Sequence, residues 1–155
     1  NIEYVINLQG DEPMLDIEDV HNLLKKTIEK KSKVSTLACQ IEDKKFFLNK
    51  NIVKVTTKEE LNNNNLSTAS SFTREIENTQ KNIYHHIGIY IYHVLYLEKF
   101  IKLEQTQNEK SQNLEQLRLM DNSIEINVGL AKTKPIGVDT DEDYLEIKKI
   151  MEYKN

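Results

Sequence analysis

The chain has 155 residues, 38% of them hydrophobic and 30% charged, with a formal net charge of −4 at pH 7. That length holds one domain with a real core and excludes a second complete one. A pI near 5.6, without a basic block interleaved with aromatics, argues against a nucleic-acid backbone as partner, and no apolar run has the length of a membrane span or the layout of a secretory leader.

The chain opens on "NIEYVINLQGDEPM", where Ile2, Val5, Ile6 and Leu8 form a near-continuous apolar run that ends at a Gly10–Pro13 turn. Such a run reads as a strand buried on both faces, which favours a parallel sheet. Asp16 then stands as a helix cap with Asp19 three residues on, ahead of Ile17, Val20, Leu23, Leu24 and Ile28 at helical spacing, and this helix closes near Lys31. Strands are expected at 33–42, 51–56, roughly 67–73 and 83–93, the last reading "IYHHIGIYIYH" with alternating aromatics. The stretch "EELNNNNLST" between them is a loop. The lone Cys39 falls in an apolar run and reads as a buried small hydrophobe, consistent with a reducing, cytoplasmic compartment. Helical spacing returns at about 94–104 and 110–120, a strand fits 124–131, and 140–153 is an amphipathic helix capped by Thr140 with Asp143 at its third position. The alternation makes the class α/β, with residues 1–155 as a single domain.

In open α/β sheets ligands bind beyond the carboxyl ends of strands, and Asp11 falls just past the first one. Hard carboxylate oxygens at that position suit Mg²⁺, which takes one or two protein carboxylates and completes its shell with water and phosphate oxygens. Asp139, in "PIGVDTDEDYL", is the second candidate. Two readings are open for each acid: a metal ligand, or a turn residue at Asp11 and a helix cap at Asp139. The four histidines show no spacing of the kind that binds zinc.

The segments "VINLQGDEPM", "STLACQI", "NIVKV", "SFTR", "YHHIGIYIY", "LEQLR" and "IGVDTDEDYLEI" occur in this order and at about the spacing of one family. From end to end the chain resembles the 3-deoxy-manno-octulosonate cytidylyltransferases, also called CMP-KDO synthetases. The resemblance implies a nucleotidyltransferase that joins CTP to the sugar acid KDO, giving CMP-KDO and pyrophosphate for lipopolysaccharide biosynthesis, in the cytoplasm, with Mg²⁺ as cofactor and a homodimer as the intact enzyme. It also implies a Rossmann-like nucleotide-diphospho-sugar transferase fold with a mixed, mostly parallel sheet, N-terminally truncated. Members of the family begin upstream with a basic, glycine-containing loop around the triphosphate. On that comparison residues 1–155 are the C-terminal part of a cytidylyltransferase domain, lacking the CTP-binding loop and inactive alone.

The resemblance assigns roles residue by residue. Asp11 and Asp139 match the catalytic, metal-binding acids, and Gln9, Arg74, His86, Tyr90, Glu115 and Gln116 match the substrate-binding residues. A guanidinium fork at Arg74 suits the sugar's carboxylate. Period-two alternation puts His86, Gly88, Tyr90 and Tyr92 on one face of their strand and His85 on the other, with Tyr92 assigned to packing. Glu109 stands where the family has an acid ahead of "LEQLR", and as a helical pair Glu109 and Gln116 share one side. Each residue also has a plainer reading: a turn amide at Gln9, a solvated loop arginine at Arg74, a structural histidine at His86. The chain departs from the family just after Arg74, where "EIENTQKN" replaces a longer basic, aromatic loop, and at Gln112, which replaces an acid. Two alternatives stay open: a non-catalytic remnant or interaction module of this fold, and a related cytidylyltransferase for acylneuraminate.

Overall fold

The computed structural model describes residues 2–9, 15–42, 45–76, 81–133 and 141–152. Its elements run β1 (Tyr4–Asn7), α1 (Ile17–Lys30), β2 (Val34–Cys39), α2 (Lys45–Leu48), β3 (Lys54–Thr57), β4 (Leu66–Thr73), β5 (Ile83–His93), α3 (Val94–Phe100), α4 (Gln107–Gln112), α5 (Leu117–Asp121), β6 (Ile126–Leu130) and α6 (Asp141–Glu152). The expected Gly10–Pro13 turn and the cap Thr140 lie outside the described residues.

The α/β class holds, but the expected open, mostly parallel, N-terminally truncated Rossmann-like sheet does not. The strand order is β1-β5-β2-β6-β4-β3, and β3 pairs back onto β5, so five strands close into a ring with β1 added outside on β5. Among the described residues β2–β6 is the only parallel ladder, and the other pairings are antiparallel. Connection length explains the difference. The link across 58–65 makes β3 and β4 antiparallel neighbours, whereas β2 and β6 are separated by the long crossover that a parallel pair requires. The first apolar run is likewise not buried on both faces: among the described residues β1 pairs only with β5, and Ile2 keeps 75% of its surface exposed.

Two apolar clusters occupy the two faces of the sheet. One joins Val34, Ala38, Val55, Tyr90, Tyr92 and Val128 to Phe100, Leu114, Leu117 and Leu119 from the α3–α5 side. The other joins Leu37, Ile87, Ile89 and Ile91 to Leu23 of α1. Gly129 sets how closely α1 approaches, because a Cβ there would stand 3.0 Å from Leu23 Cδ1 and 3.1 Å from Leu66 Cδ2. Helix α1 is capped by Asp16, whose carboxylate accepts from Glu18 N at 2.8 Å, and it closes at Lys31 in the left-handed region with φ 53°. Its buried stripe is narrower than expected: Val20, Leu23 and Thr27 are inside, while Ile17 and Ile28 are exposed. The helix expected over 110–120 is two helices broken at Asn113, which takes the left-handed conformation that ends α4.

Candidate active site

β5 has a different neighbour along each part of one edge. β2 follows it from His85 to Tyr92, while on the opposite edge β3 pairs with Ile83–His85 and β1 with Tyr90–His93. Between those two partners the strand bulges: Thr36 faces Tyr90 but Leu37 faces Ile87, leaving Gly88 and Ile89 as extra residues. The Thr36 hydroxyl secures the bulge by donating to Ile89 O at 2.6 Å. With its single proton used there, its oxygen accepts from His86 Nε2–H at 2.9 Å, which selects that tautomer. Gln9, just past β1, lies over the bulge. A Cβ on Gly88 would stand 2.7 Å from Gln9 Oε1, so any larger residue there would displace the exposed glutamine amide from this position.

His86 and Tyr90 share the expected face and are part of the core, 8% and 5% exposed. Burial pushes the His86 pKa down to about 3, with the charge of His85 as a lesser cause, so the ring is neutral at neutral pH. It meets Phe72 edge-on at 5.1 Å and Tyr90 at 5.5 Å, Tyr90 stacks on Tyr92 at 5.7 Å, and Tyr92 on Phe100 at 6.1 Å. The row ends where the Arg118 guanidinium sits 4.6 Å above the Phe100 ring. Burial raises both phenol pKa values, and the negative charge of Glu115 raises them further, which keeps Tyr90 and Tyr92 protonated and able to donate.

The helix pair behind this row is locked by Glu109. Its carboxylate accepts from Arg118 Nε at 2.8 Å and also from Nη2, and closes a capping box with Thr106. The Arg118 hydrogen bond holds the Glu109 carboxyl below its ordinary pKa. Glu109 is therefore buried structure, on a different helix from Gln116, which begins α5 and is also buried. Glu115 stays exposed, 3.9 Å from Arg118.

Arg74 follows β4, and its guanidinium is already in use: Nη1 donates to Lys50 O at 3.1 Å and Asn51 O at 3.4 Å, and Nη2 to Asn113 O at 3.5 Å. It thus ties the turn before β3 to the α4–α5 break. Beside it a surface cavity of about 390 Å³ opens between β4 and the helix pair, lined by Ser71, Phe72, Thr73, Asn108 and Gln112 among others. The structure therefore brings Gln9, Gly88, His86, Tyr90 and Glu115 around one length of β5, with Gln116 behind them and Arg74 joined through the helix pair. Asp11 and Asp139 lie outside the described residues, and among those described no group of three or more His, Cys, Asp or Glu is placed to hold a metal ion.

Two residues escaped the sequence reading. Asp19, expected as part of a helix cap, is 2% exposed and reaches across the fold to accept from Lys132 N, Thr133 N and Thr133 Oγ1, the last at 2.7 Å. No local pattern signals a partner 113 residues away. Lys54 has 0% of its surface exposed although it lies in "NIVKVT", where a lysine reads as an outward-facing residue.

A family model described as Cytidylyltransferase matches residues 1–126. The chain is 41% identical over 146 residues to a 3-deoxy-manno-octulosonate cytidylyltransferase of Thermodesulfovibrio yellowstonii, an alignment covering 90% of this chain and 56% of the relative. It is 36% identical over 143 residues to a protein of the same name from Brucella canis, covering 92% and 57%. A solved structure of CMP:2-keto-3-deoxy-manno-octonic acid synthetase complexed with CTP superposes with a TM-score of 0.85 at 29% identity, over 99% of this chain and 63% of that one. UTP-bound UGPase from Acinetobacter baumannii shares the fold alone, at a TM-score of 0.63 and 10% identity. The chain thus spans somewhat over half the length of the relatives it matches. These matches correct the expectation of a C-terminal remnant without the CTP-binding core, because the family model matches from residue 1 onward and the CTP-complexed structure covers 99% of the chain.

Proposed function

Because the chain belongs to the cytidylyltransferase family, we propose that it builds part of a site joining CTP to 3-deoxy-manno-octulosonate, giving CMP-KDO and pyrophosphate. The reaction belongs in the cytoplasm, where CTP is available, and the product feeds lipopolysaccharide assembly. A single observation carries the reading: Gln9 rests on Gly88 between His86 and Tyr90, so two separated motifs meet at one bulged edge of β5.

In this reaction the anomeric hydroxyl of the sugar acid attacks the α-phosphorus of CTP, the bond to the β-phosphate oxygen breaks to release pyrophosphate, and the hydroxyl proton passes to water. The protein supplies alignment and charge stabilisation, with no covalent nucleophile required. Arg74 takes the sugar carboxylate in a two-pronged contact. Neutral His86 orients rather than accepts the proton, since its depressed pKa makes it a poor base at neutral pH. The protonated Tyr90 donates to a sugar oxygen, and exposed Glu115 with Gln116 reads the sugar hydroxyls. Gln9 bridges nucleotide and sugar.

Asp11 and Asp139 are the residues we assign to Mg²⁺, as hard oxygen donors on two separate segments. When bound, the ion neutralises phosphate charge. Support comes from Asp19, eight residues after Asp11, which holds the main chain of Thr133, six residues before Asp139; one buried carboxylate ties the flanks of the two acidic segments together. The intact assembly is proposed as a homodimer.

Pyrophosphate release from CTP and the sugar acid is the test. Asp11→Asn and Asp139→Asn should each lower turnover on the order of 100-fold, as loss of a charge-stabilising group does, while His93→Ala, which removes the cap of α3 and the ring contacts to Tyr4 and Tyr96, should leave turnover nearly intact. Equal small losses in all three would sink the metal assignment. Release with acylneuraminate but not with the octulosonate would transfer the reading to that sugar.

A further inference from the structure

Lys54 is a buried amine that the reaction described above does not use. Its Nζ donates to Asn49 O at 2.5 Å and to Arg74 O at 2.8 Å. Both acceptors are main-chain carbonyls; the nearby Glu75 carboxylate is taken by Lys50 at 2.6 Å. Burial lowers the Lys54 pKa, and the charge of Arg74 lowers it further. An apolar side chain would fill the same place in β3 without that desolvation cost. The two carbonyls it holds offset that cost.

What it holds is the root of Arg74. The turn before β3 offers three successive carbonyls: Asn49 binds Lys54, while Lys50 and Asn51 bind the Arg74 guanidinium. Arg74 is thus anchored twice to one turn, by its side chain and, through Lys54, by its main chain. The fork has five donors and a carboxylate takes two, so an anionic ligand can bind Arg74 while Nη1 stays on the 50–51 carbonyls. Lys54 is the side chain that grips the Arg74 carbonyl itself, between the Lys54–Thr73 pair of the β3–β4 ladder and the Lys50–Glu75 ion pair. We propose that Lys54 is the positioning residue for Arg74, fixing the root from which its guanidinium presents its remaining donors to the carboxylate of a sugar acid. This rests on the reading of Arg74 as the carboxylate ligand.

The test is a double-mutant cycle on binding, by calorimetric or NMR titration of the 155-residue chain with 3-deoxy-manno-octulosonate and separately with CTP, with far-ultraviolet circular dichroism to show that each variant is folded. Arg74→Gln and Lys54→Met should each weaken sugar-acid binding about tenfold, and the double variant should be no weaker than Arg74→Gln, since coupled residues are not additive. CTP affinity should stay unchanged in Lys54→Met. Independent, additive losses, or an equal loss for CTP, would make Lys54 merely structural and overturn the proposal. No effect of Arg74→Gln, or no sugar-acid binding by the parent chain, would instead overturn the reading of Arg74 and the proposal with it. Should Lys54→Met not fold, Lys54→Gln, which keeps a donor, takes its place in the cycle, and additive losses would overturn the proposal in the same way.

Discussion

Arg118 and Lys54 are both cations withdrawn from water, and their surroundings treat them in opposite ways. Arg118 lies against the Phe100 ring with the Glu109 carboxylate across its fork, and that hydrogen bond pushes its pKa up. Lys54 has two main-chain carbonyls, and burial pushes its pKa down. The first arrangement is a latch: charge meets charge, and helices α4 and α5 are locked behind the ring row. The second holds a segment by dipoles alone, next to an arginine whose own partners are exchangeable carbonyls. The row from Phe72 through His86, Tyr90 and Tyr92 to Phe100 joins the two regions.

The largest expected effect falls on the latch. Glu109→Ala leaves the largely buried Arg118 guanidinium with only the exposed Glu115 carboxylate 3.9 Å away and should cost about 3 kcal/mol in urea unfolding. The wild-type latch should also weaken in acid. The Glu109 pKa is lower folded than unfolded, so its contribution is complete above the unfolded value and is lost as pH falls through the folded one. A change under about 1 kcal/mol in Glu109→Ala would place this pair among ordinary surface bridges and erase the contrast with Lys54.

The ring row comes next. His86 titrates near pH 3 in the fold against an ordinary value of 6.5, so between those limits the unfolded chain binds a proton that the native one refuses. Its contribution should therefore make stability fall as pH drops through that window, by up to about 1.4 kcal/mol per pH unit. His86→Phe should flatten this part of the profile. An unchanged slope would mean that His86 is hydrated in solution.

The smallest effect belongs to Lys54. Lys54→Met should change stability at neutral pH by no more than about 1 kcal/mol, since one desolvated amine is removed and two carbonyls lose a donor. Because the Lys54 pKa is lowered in the fold, wild-type stability should rise with pH just below the ordinary lysine value, and the variant should lose that rise. A cost as large as that of Glu109→Ala would show that the amine is a latch after all.

Much of β5 was legible from its letters. The alternation in "IYHHIGIYIYH" placed His86, Tyr90 and Tyr92 on one face correctly, because a strand's side chains alternate whatever it pairs with. The helix of α1 was equally readable from its cap and apolar spacing. The direction of the sheet was not. An apolar run reports burial, and burial does not distinguish parallel from antiparallel pairing; the short β3–β4 link and the pairings of distant strands decided that. The α4–α5 break at Asn113 was equally hidden, since an asparagine continues a helical pattern until its φ of 56° is seen.

The same division runs through the site. By itself the sequence determined which side chains face together on β5, where α1 begins and ends, and the motifs that place the chain among cytidylyltransferases, because each of these depends on neighbours a few residues apart. Only the tertiary structure decided that Gln9 lies on Gly88, that Asp19 holds Thr133, that Glu109 belongs to Arg118, and that Lys54 is inside. Those contacts join residues distant in the chain, and their chemistry exists only once the ring of strands has closed and water has been removed from around the charged groups.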